Sequence, residues 1–260
     1  LNVWISRALL TLLLQPAVVF ADTLRYAVTN ESWEPYWIVH DGHISGIFSD
    51  LMQALDQQMD VALEADTPQP PLRAQKHFRD GLVQLECCVS KAWRSAPEQV
   101  AESLWSEPVL STEEVLIFPP GKAFPFTGLQ DLRGRTISTV RGYGYAGSQY
   151  FTRSDSPDSM AQLKVVARRR VDAGTIDRFE LASLFANHPE LRALSAPVEL
   201  GPVISRSTLR MRLHRSRAEW LKPLNEAIGR LRKNGTLARI VQRYAIPHGS
   251  EAHVLRAQGR

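Results

Sequence analysis

The chain has 260 residues, 44% of them hydrophobic and 22% charged, with 31 Lys and Arg against 27 Asp and Glu for a formal net charge of +4. That length buries a large core in one large domain or two smaller ones, and the composition excludes a disordered or fibrous protein. The basic excess is modest, and its densest run, Arg168-Arg169-Arg170, has no interleaved aromatic residues; it reads as a solvated helix end and argues against nucleic acid as a partner.

Residues 1–21 read as a secretory signal peptide. Arg7 is the only charge, Ala8 to Leu14 is a short apolar run, and Val19-Phe20-Ala21 satisfies the small-residue rule for cleavage. The mature chain then begins at Asp22, and a soluble periplasmic protein of a Gram-negative cell is expected. No later stretch is long and apolar enough to cross a membrane as a helix.

Leu24 to Val28 alternates apolar with polar residues as a first strand and leads into Asn30-Glu31-Ser32-Trp33-Glu34-Pro35-Tyr36-Trp37. Aromatic rings in a loop directly after a strand either pack on the core or line a pocket, so Trp33, Tyr36 and Trp37 are candidate ligand contacts. His40-Asp41-Gly42-His43 makes a turn; with no third ligand nearby it predicts no metal site, and no cofactor is expected. Gly46 leads into a helix near Ser49 to Met59, where Leu51, Met52, Leu55 and Met59 form one apolar stripe. Val61 to Ala65 is a short strand, and a second helix ends at Gly81.

The next stretch, Leu85-Glu86-Cys87-Cys88-Val89-Ser90-Lys91-Ala92-Trp93-Arg94, is predicted as a buried strand running out into a loop that ends on a guanidinium. An arginine there is most often a solvated charge; at the mouth of a cleft its planar fork of donors suits a carboxylate. Cys87 and Cys88 are the only cysteines. Ordinary disulfide geometry wants alpha carbons further apart than one peptide allows, so two buried thiols are expected, with a vicinal disulfide as the alternative. Strand, helix, strand, helix, strand is the order of a parallel sheet with covered faces, whose ligands gather at the carboxyl ends of the strands.

Ser106-Glu107-Pro108 is read as closing this unit, and Glu113 to Phe118 as a strand that stops at Pro119-Pro120-Gly121. A second unit follows. The strand Thr136 to Val140 feeds the loop Arg141-Gly142-Tyr143-Gly144-Tyr145, which is either a tight turn or a place where backbone N–H groups approach an anion, and a short helix is predicted after it. Met160, Leu163, Val166 and Ala167 give a helix its inward face, Arg170 to Asp177 is a buried strand ending on a carboxylate, and Arg178 to Asn187 is helical. Leu209, Met211 and Leu213 alternate with Arg210, Arg212 and His214, the pattern of a strand with one face in water. Two long helices finish the fold, one carrying Leu221, Leu224, Ile228 and Leu231, the other Leu237, Ile240, Val241 and Tyr244; the tail after Pro247 is expected to be loose.

The order of these motifs resembles the family 3 extracellular solute-binding proteins, periplasmic receptors of polar amino acid ABC importers, over about the whole mature chain. The carriers are the aromatic-proline loop Trp33 to Trp37, Gly46, the arginine loop at Arg94 with Trp105-Ser106-Glu107-Pro108 after it, Leu132-Arg133-Gly134-Arg135 with Gly142, and Val171-Asp172-Ala173 with Asp177. The resemblance implies a two-lobed α/β fold, the type II periplasmic binding protein, with two crossover strands. Lobe 1 would comprise 22–112 and 206–260, and lobe 2 113–205, closing by hinge motion around the ligand. It also implies that Arg94 clamps the ligand carboxylate, that Gly142 and the backbone around Tyr143 meet it from lobe 2, that Asp177 accepts the ligand ammonium, and that an aromatic from Trp33, Tyr36 or Trp37 covers the side chain. Cys88 and Ser90 stand where the family usually carries small hydroxyl residues ahead of the arginine.

The function implied is capture of a small zwitterionic or carboxylate solute and its presentation, by a monomer, to a membrane permease or sensor. The alternatives are a sensor subunit for a membrane kinase, or a dehydratase-like enzyme on the same fold with Glu86 and Asp177 as its acid and base.

Overall fold

The computed structural model describes residues 22–192 and 198–245; the predicted leader and the tail after Pro247 lie outside the described residues. In chain order the elements are β1 (Thr23–Ala27), the hairpin β2 (Ile38–His40) and β3 (His43–Ser45), α1 (Ile47–Asp56), β4 (Ala62–Ala65), α2 (Pro71–Arg79), β5 (Leu85–Val89), α3 (Pro97–Ala101), β6 (Ser103–Phe118), β7 (Thr136–Val140), β8 (Thr152–Ser156), α4 (Ser159–Ala167), β9 (Ala173–Asp177), α5 (Arg178–Asn187), α6 (Pro189–Arg192), β10 (Glu199–His214), α7 (Leu221–Lys233) and α8 (Thr236–Tyr244).

All the strands but the β2–β3 hairpin form one eight-stranded sheet in the order β4-β1-β5-β10-β6-β9-β7-β8. At one end β4, β1 and β5 run parallel, at the other β9, β7 and β8 do, and the long antiparallel pair β6 and β10 joins the two ends. Each end has its own core, which makes the molecule two-lobed. In lobe 1 the stripe Phe48, Leu51 and Leu55 of α1 packs with Leu224, Ile228 and Leu231 of α7 and with Ile240 of α8. In lobe 2 Ile117, Leu163, Val166 and Ile176 fill one face of the sheet and Leu116, Phe118, Ile137 and Phe151 the other. Along β6 the packing passes from the first core at Leu110 to the second at Val115, and along β10 it returns between Ile204 and Leu209.

Several predicted elements need correction. β6 starts at Ser103 rather than at Glu113, because Pro108 does not end the strand: it sits opposite Arg210 between two register shifts of the β6–β10 ladder, where a missing N–H is tolerated. The short helix expected after Gly142 is a series of turns, followed by the unpredicted edge strand β8. The polar face of Arg210, Arg212 and His214 is mostly out of water, with Arg210 half-buried and the other two buried. β10 lies between β5 and β6, and Arg212 is 0% exposed. The cysteines are not two thiols: Cys87 and Cys88 are joined to each other across a cis peptide, with alpha carbons 3.1 Å apart.

One glycine ties the aromatic loop to the core. Gly46 caps α1 with φ 105°, and a Cβ there would stand 2.6 Å from the Tyr36 carbonyl oxygen and 2.8 Å from that of Pro35. Those carbonyls accept the first helical N–H groups, Phe48 to Tyr36 at 2.9 Å and Ile47 to Pro35 at 3.0 Å, so the loop serves as the helix cap. Gly46→Ala is expected to cost about 1–3 kcal/mol from the positive φ and the backbone clash together. Chemical denaturation of the variant measures this, and a loss below a few tenths of a kcal/mol would refute the role given to the loop.

Candidate functional site

Between the lobes lies a cleft of about 980 Å³, part of it open to solvent. Lobe 1 contributes β5, the turn after it, the aromatic loop and the start of α2; lobe 2 contributes the β7 loop, the end of β9 and the first turns of α4 and α5. The lobes touch around it. The Tyr36 hydroxyl donates to Asp177 Oδ1 at 3.2 Å, His188 Nε2 lies 2.9 Å from Glu34 Oε1, and the rings of Tyr36 and Phe179 meet edge to face.

On the lobe 1 side β5 is buried at every position, and Ser90 caps the single 3-10 turn Lys91–Arg94, its hydroxyl accepting from Ala92 N at 3.3 Å. This turn aims Arg94 back along the strand at Glu86. Arg94 Nε donates to both Glu86 oxygens, at 3.1 and 3.2 Å, Nη2 donates to Oε1, and Nη1 donates to the Trp93 carbonyl at 3.1 Å. A guanidinium has about five N–H donors, so one N–H on each terminal nitrogen has no partner among the described residues. Glu86 Oε2 also accepts from Arg212 at 2.9 Å. Arg212 lies 3.8 Å over the Phe78 ring and donates to Ser103 Oγ at 2.7 Å and to the Gln99 carbonyl at 3.0 Å. Burial pushes the Glu86 carboxyl up, but the two guanidiniums outweigh it and hold it below the ordinary carboxylate range. Two arginines and one glutamate leave this wall with one net positive charge.

The lobe 2 wall is acidic. Asp177 caps α5, its Oδ1 accepting from Glu180 N at 2.9 Å, and its Oδ2 accepts from the Thr112 hydroxyl. Burial raises its pKa to about 6 against those hydrogen bonds. Glu114 lies opposite Asp177 on β6; burial raises it to about 7, with the Asp177 charge adding to the effect and a 2.6 Å hydrogen bond from Ser205 opposing it. Glu180 is pushed well above the usual range, first by burial and then by the Asp177 and Glu34 charges. Among the described residues no Lys, Arg or His pairs with any of these three carboxyls, whereas Glu113, next along β6, pairs with Arg178 and Arg206.

Of the residues predicted for the site, Arg94, Asp177, Gly142, Tyr143, Trp33, Trp37 and Cys88 line the cleft together. Tyr36 and Ser90 stand behind it, Tyr36 as the partner of Asp177 and Ser90 as the cap of the arginine turn. Trp37 donates through Nε1 to the Cys87 carbonyl at 3.2 Å, and Trp33 meets Trp93 edge to face at 5.8 Å. The Gly142 loop is pinned from behind by Arg153, which donates to the carbonyls of Tyr143 at 2.8 Å and Val140 at 3.0 Å. The Tyr143 N–H is already used by Val140 O at 3.3 Å. Gly142 has φ 83°, a conformation that favours glycine, while a Cβ there would only touch Pro71 Cβ of the other lobe at 3.4 Å, an ordinary contact.

A wall with one net positive charge on one side of a two-lobed cleft, facing carboxyls that have no basic partner among the described residues, can hold a molecule that carries both charges. A family model for the bacterial extracellular solute-binding proteins, family 3, matches residues 25–247. The chain belongs to that family. No curated protein sequence matches the chain. Solved structures similar to this solute-binding protein include an arginine third transport system periplasmic binding protein from Legionella pneumophila, at 16% identity and TM-score 0.68 over 86% of this chain and 100% of that one. The GluR0 ligand-binding core from Nostoc punctiforme in complex with L-glutamate has 18% identity and TM-score 0.68 over 86% and 100%. A double mutant of the BvgS VFT2 domain of Bordetella pertussis has 17% identity and TM-score 0.67 over 86% and 93%. At these identities the likeness is one of fold, the two-lobed type II periplasmic binding protein.

The chemistry of Glu114, Gln162, Thr175 and Glu180 was not anticipated from the sequence, although all four line the cleft. Glu180 stands three residues after the helix cap Asp177, a spacing that by itself signals only a helix start. Glu114 and Thr175 read as ordinary strand residues.

Proposed function

We propose that this solute-binding protein is a periplasmic receptor that closes around a small zwitterionic, amino-acid-like solute and presents it to a membrane partner, an ABC importer. The observation that carries this reading is the pairing of an arginine with two unengaged N–H groups on lobe 1 with an uncompensated buried carboxyl, Asp177, on lobe 2 of one cleft. The Arg94 fork takes the solute carboxylate end-on while Glu86 holds it from the side. Asp177 takes the ammonium, since each buried charge needs a partner. Trp33 and Trp93 wall the solute side chain. Division of the chain at 112/113 and 205/206 puts the two charges on opposite bodies, so ligand bridges the lobes and favours the closed form.

Glu86 is a poor proton donor or acceptor: both of its oxygens are held by arginines and its carboxyl stays ionised through the neutral range. This favours binding over the enzymatic alternative. Calorimetry of refolded protein against the amino acids and small carboxylates tests the proposal. An amino acid is expected to bind, and Arg94→Ala and Asp177→Asn are each expected to weaken it by about 2–5 kcal/mol, the cost of stranding one partner of a buried charge pair. Affinity unchanged in both variants would reject the site.

A further inference from the structure

Behind Asp177 lies a group of polar side chains that neither the carboxylate clamp nor the ammonium acceptor requires. Glu114 pairs in register with Asp177 across β6 and β9, so the two side chains rise on the same face of the sheet, and Thr175, two residues earlier on β9, faces the same way. Gln162, from the first turns of α4, donates through its amide nitrogen to the carbonyls of Ser138 at 2.8 Å and Thr175 at 2.7 Å. That fixes the amide and leaves its oxygen only able to accept. Gln162 Oε1 and Thr175 Oγ1 are buried with no hydrogen-bond partner, on residues 1% and 0% exposed that both line the cleft. Glu180, 4% exposed and hydrogen-bonded by Ser159 and Trp33, lines the same cleft.

Buried polar atoms without partners cost about 1–3 kcal/mol each and are uncommon in a folded protein unless something else satisfies them. The atoms here share one character. The amide oxygen accepts, the hydroxyl can do either, and the two carboxyls beside them, each with a neutral partner already, accept further once ionised, so their complement is a group rich in N–H donors and positively charged. The lining agrees. The wall carries three buried carboxyls with no basic partner among the described residues, Asp177, Glu114 and Glu180, and a neutral zwitterion brings it one cation, whereas a second cation would let a second carboxyl ionise.

We propose that lobe 2 holds a second cation site, built by Glu114, Gln162, Thr175 and Glu180, and that the solute carries a distal guanidinium or primary ammonium that enters it. This rests on the carboxylate and ammonium contacts proposed above and extends them to a solute of net positive charge. Around the site stand Asp177, Tyr36, Tyr145 and Glu34 with its partner His188, and across the cleft Arg94 with Glu86. A cation among the carboxyls draws them to the ionised form, so binding at neutral pH releases protons.

Calorimetry of refolded protein with matched pairs tests this: L-arginine against L-citrulline for a guanidinium, L-lysine against L-norleucine for an ammonium. At least one cationic member is expected to bind about 30-fold or more tightly than its neutral isostere. Its enthalpy at pH 7 is also expected to vary with the ionisation enthalpy of the buffer, as proton release requires. Thr175→Val and Glu114→Gln, with folding checked by circular dichroism, are expected to reduce that ratio about 10-fold or more; the comparison of isosteres in the unaltered protein stands even if a variant does not fold. Neutral isosteres that bind as tightly as the cations would overturn the second site and leave the carboxylate and ammonium contacts standing. Binding of no amino acid would overturn both.

Discussion

Glu86→Ala is expected to lower the unfolding free energy by about 3–5 kcal/mol, the largest loss from any single side chain in the cleft wall. The size follows from what the carboxylate holds. Arg212 is wholly buried between β5 and β6 above the Phe78 ring, and Glu86 is its only anionic partner among the described residues. Without that carboxylate a guanidinium stays in the core with neutral acceptors alone, and Arg94 loses the group that aims it. The cost belongs to the stranded charge rather than to the worth of the pair, so the double variant Glu86→Ala with Arg212→Met is expected to recover much of the loss. Thermal unfolding of the single and double variants decides it. A fall of roughly 10 °C in the single variant with partial recovery in the double fits the account, and a single variant within about 1 kcal/mol of the parent protein would show that the triad is not structural.

That triad also marks where sequence reasoning failed. Leu209, Met211 and Leu213 alternate with Arg210, Arg212 and His214, and alternation normally separates a dry face from a wet one. Here Arg212 and His214 are dry because β10 is a central strand, and the charge of Arg212 is cancelled by a glutamate 126 residues away. Period two reports which side chains share a face; it does not report what covers that face. β8 escaped notice for a related reason. Thr152–Ser156 has no apolar alternation at all and is held as a strand by ladder bonds to β7 at the sheet edge. The helices were easier, since α1, α7 and α8 each present an apolar stripe that a single core absorbs.

The site divides the same way. That Arg94 and Asp177 would line the cleft was legible because each ends a buried strand, β5 through its turn and β9 directly; the roles that the resemblance implies for them remain proposals. The partner that fixes Arg94 was not legible as one: Glu86 was weighed as an acid or base, and only the fold sets it between two guanidiniums. Nor could spacing bring Glu114, Gln162 and Thr175 together, because they come from β6, α4 and β9 and meet only at the carboxyl ends of the lobe 2 strands.

The acidic wall makes a prediction for pH with a definite sign. Asp177 titrates at about 6 in the folded protein against an ordinary 3.8, and Glu114 at about 7 against 4.5. A carboxyl whose folded pKa is raised contributes stability that is fully present below its unfolded pKa and is lost as pH rises through the folded value. The ligand-free protein is therefore expected to gain on the order of 3 kcal/mol in stability between pH 8 and pH 5, roughly 10 °C in Tm. Glu86 works in the opposite direction, since its folded pKa is lowered and its contribution disappears as pH falls below the ordinary carboxylate range. Stability should thus peak near pH 5 rather than at neutrality. Asp177→Asn, which keeps the shape and removes the titration, is expected to flatten part of the slope. A cationic solute that pairs with the ionised carboxyls should do the same in the unaltered protein, because the charges that oppose folding at pH 8 then have partners. Scanning calorimetry of the refolded protein from pH 4 to pH 8 reads all three effects, and a Tm that is level or rising from pH 5 to pH 8 without ligand would contradict the assignment of buried, uncompensated carboxyls to this wall.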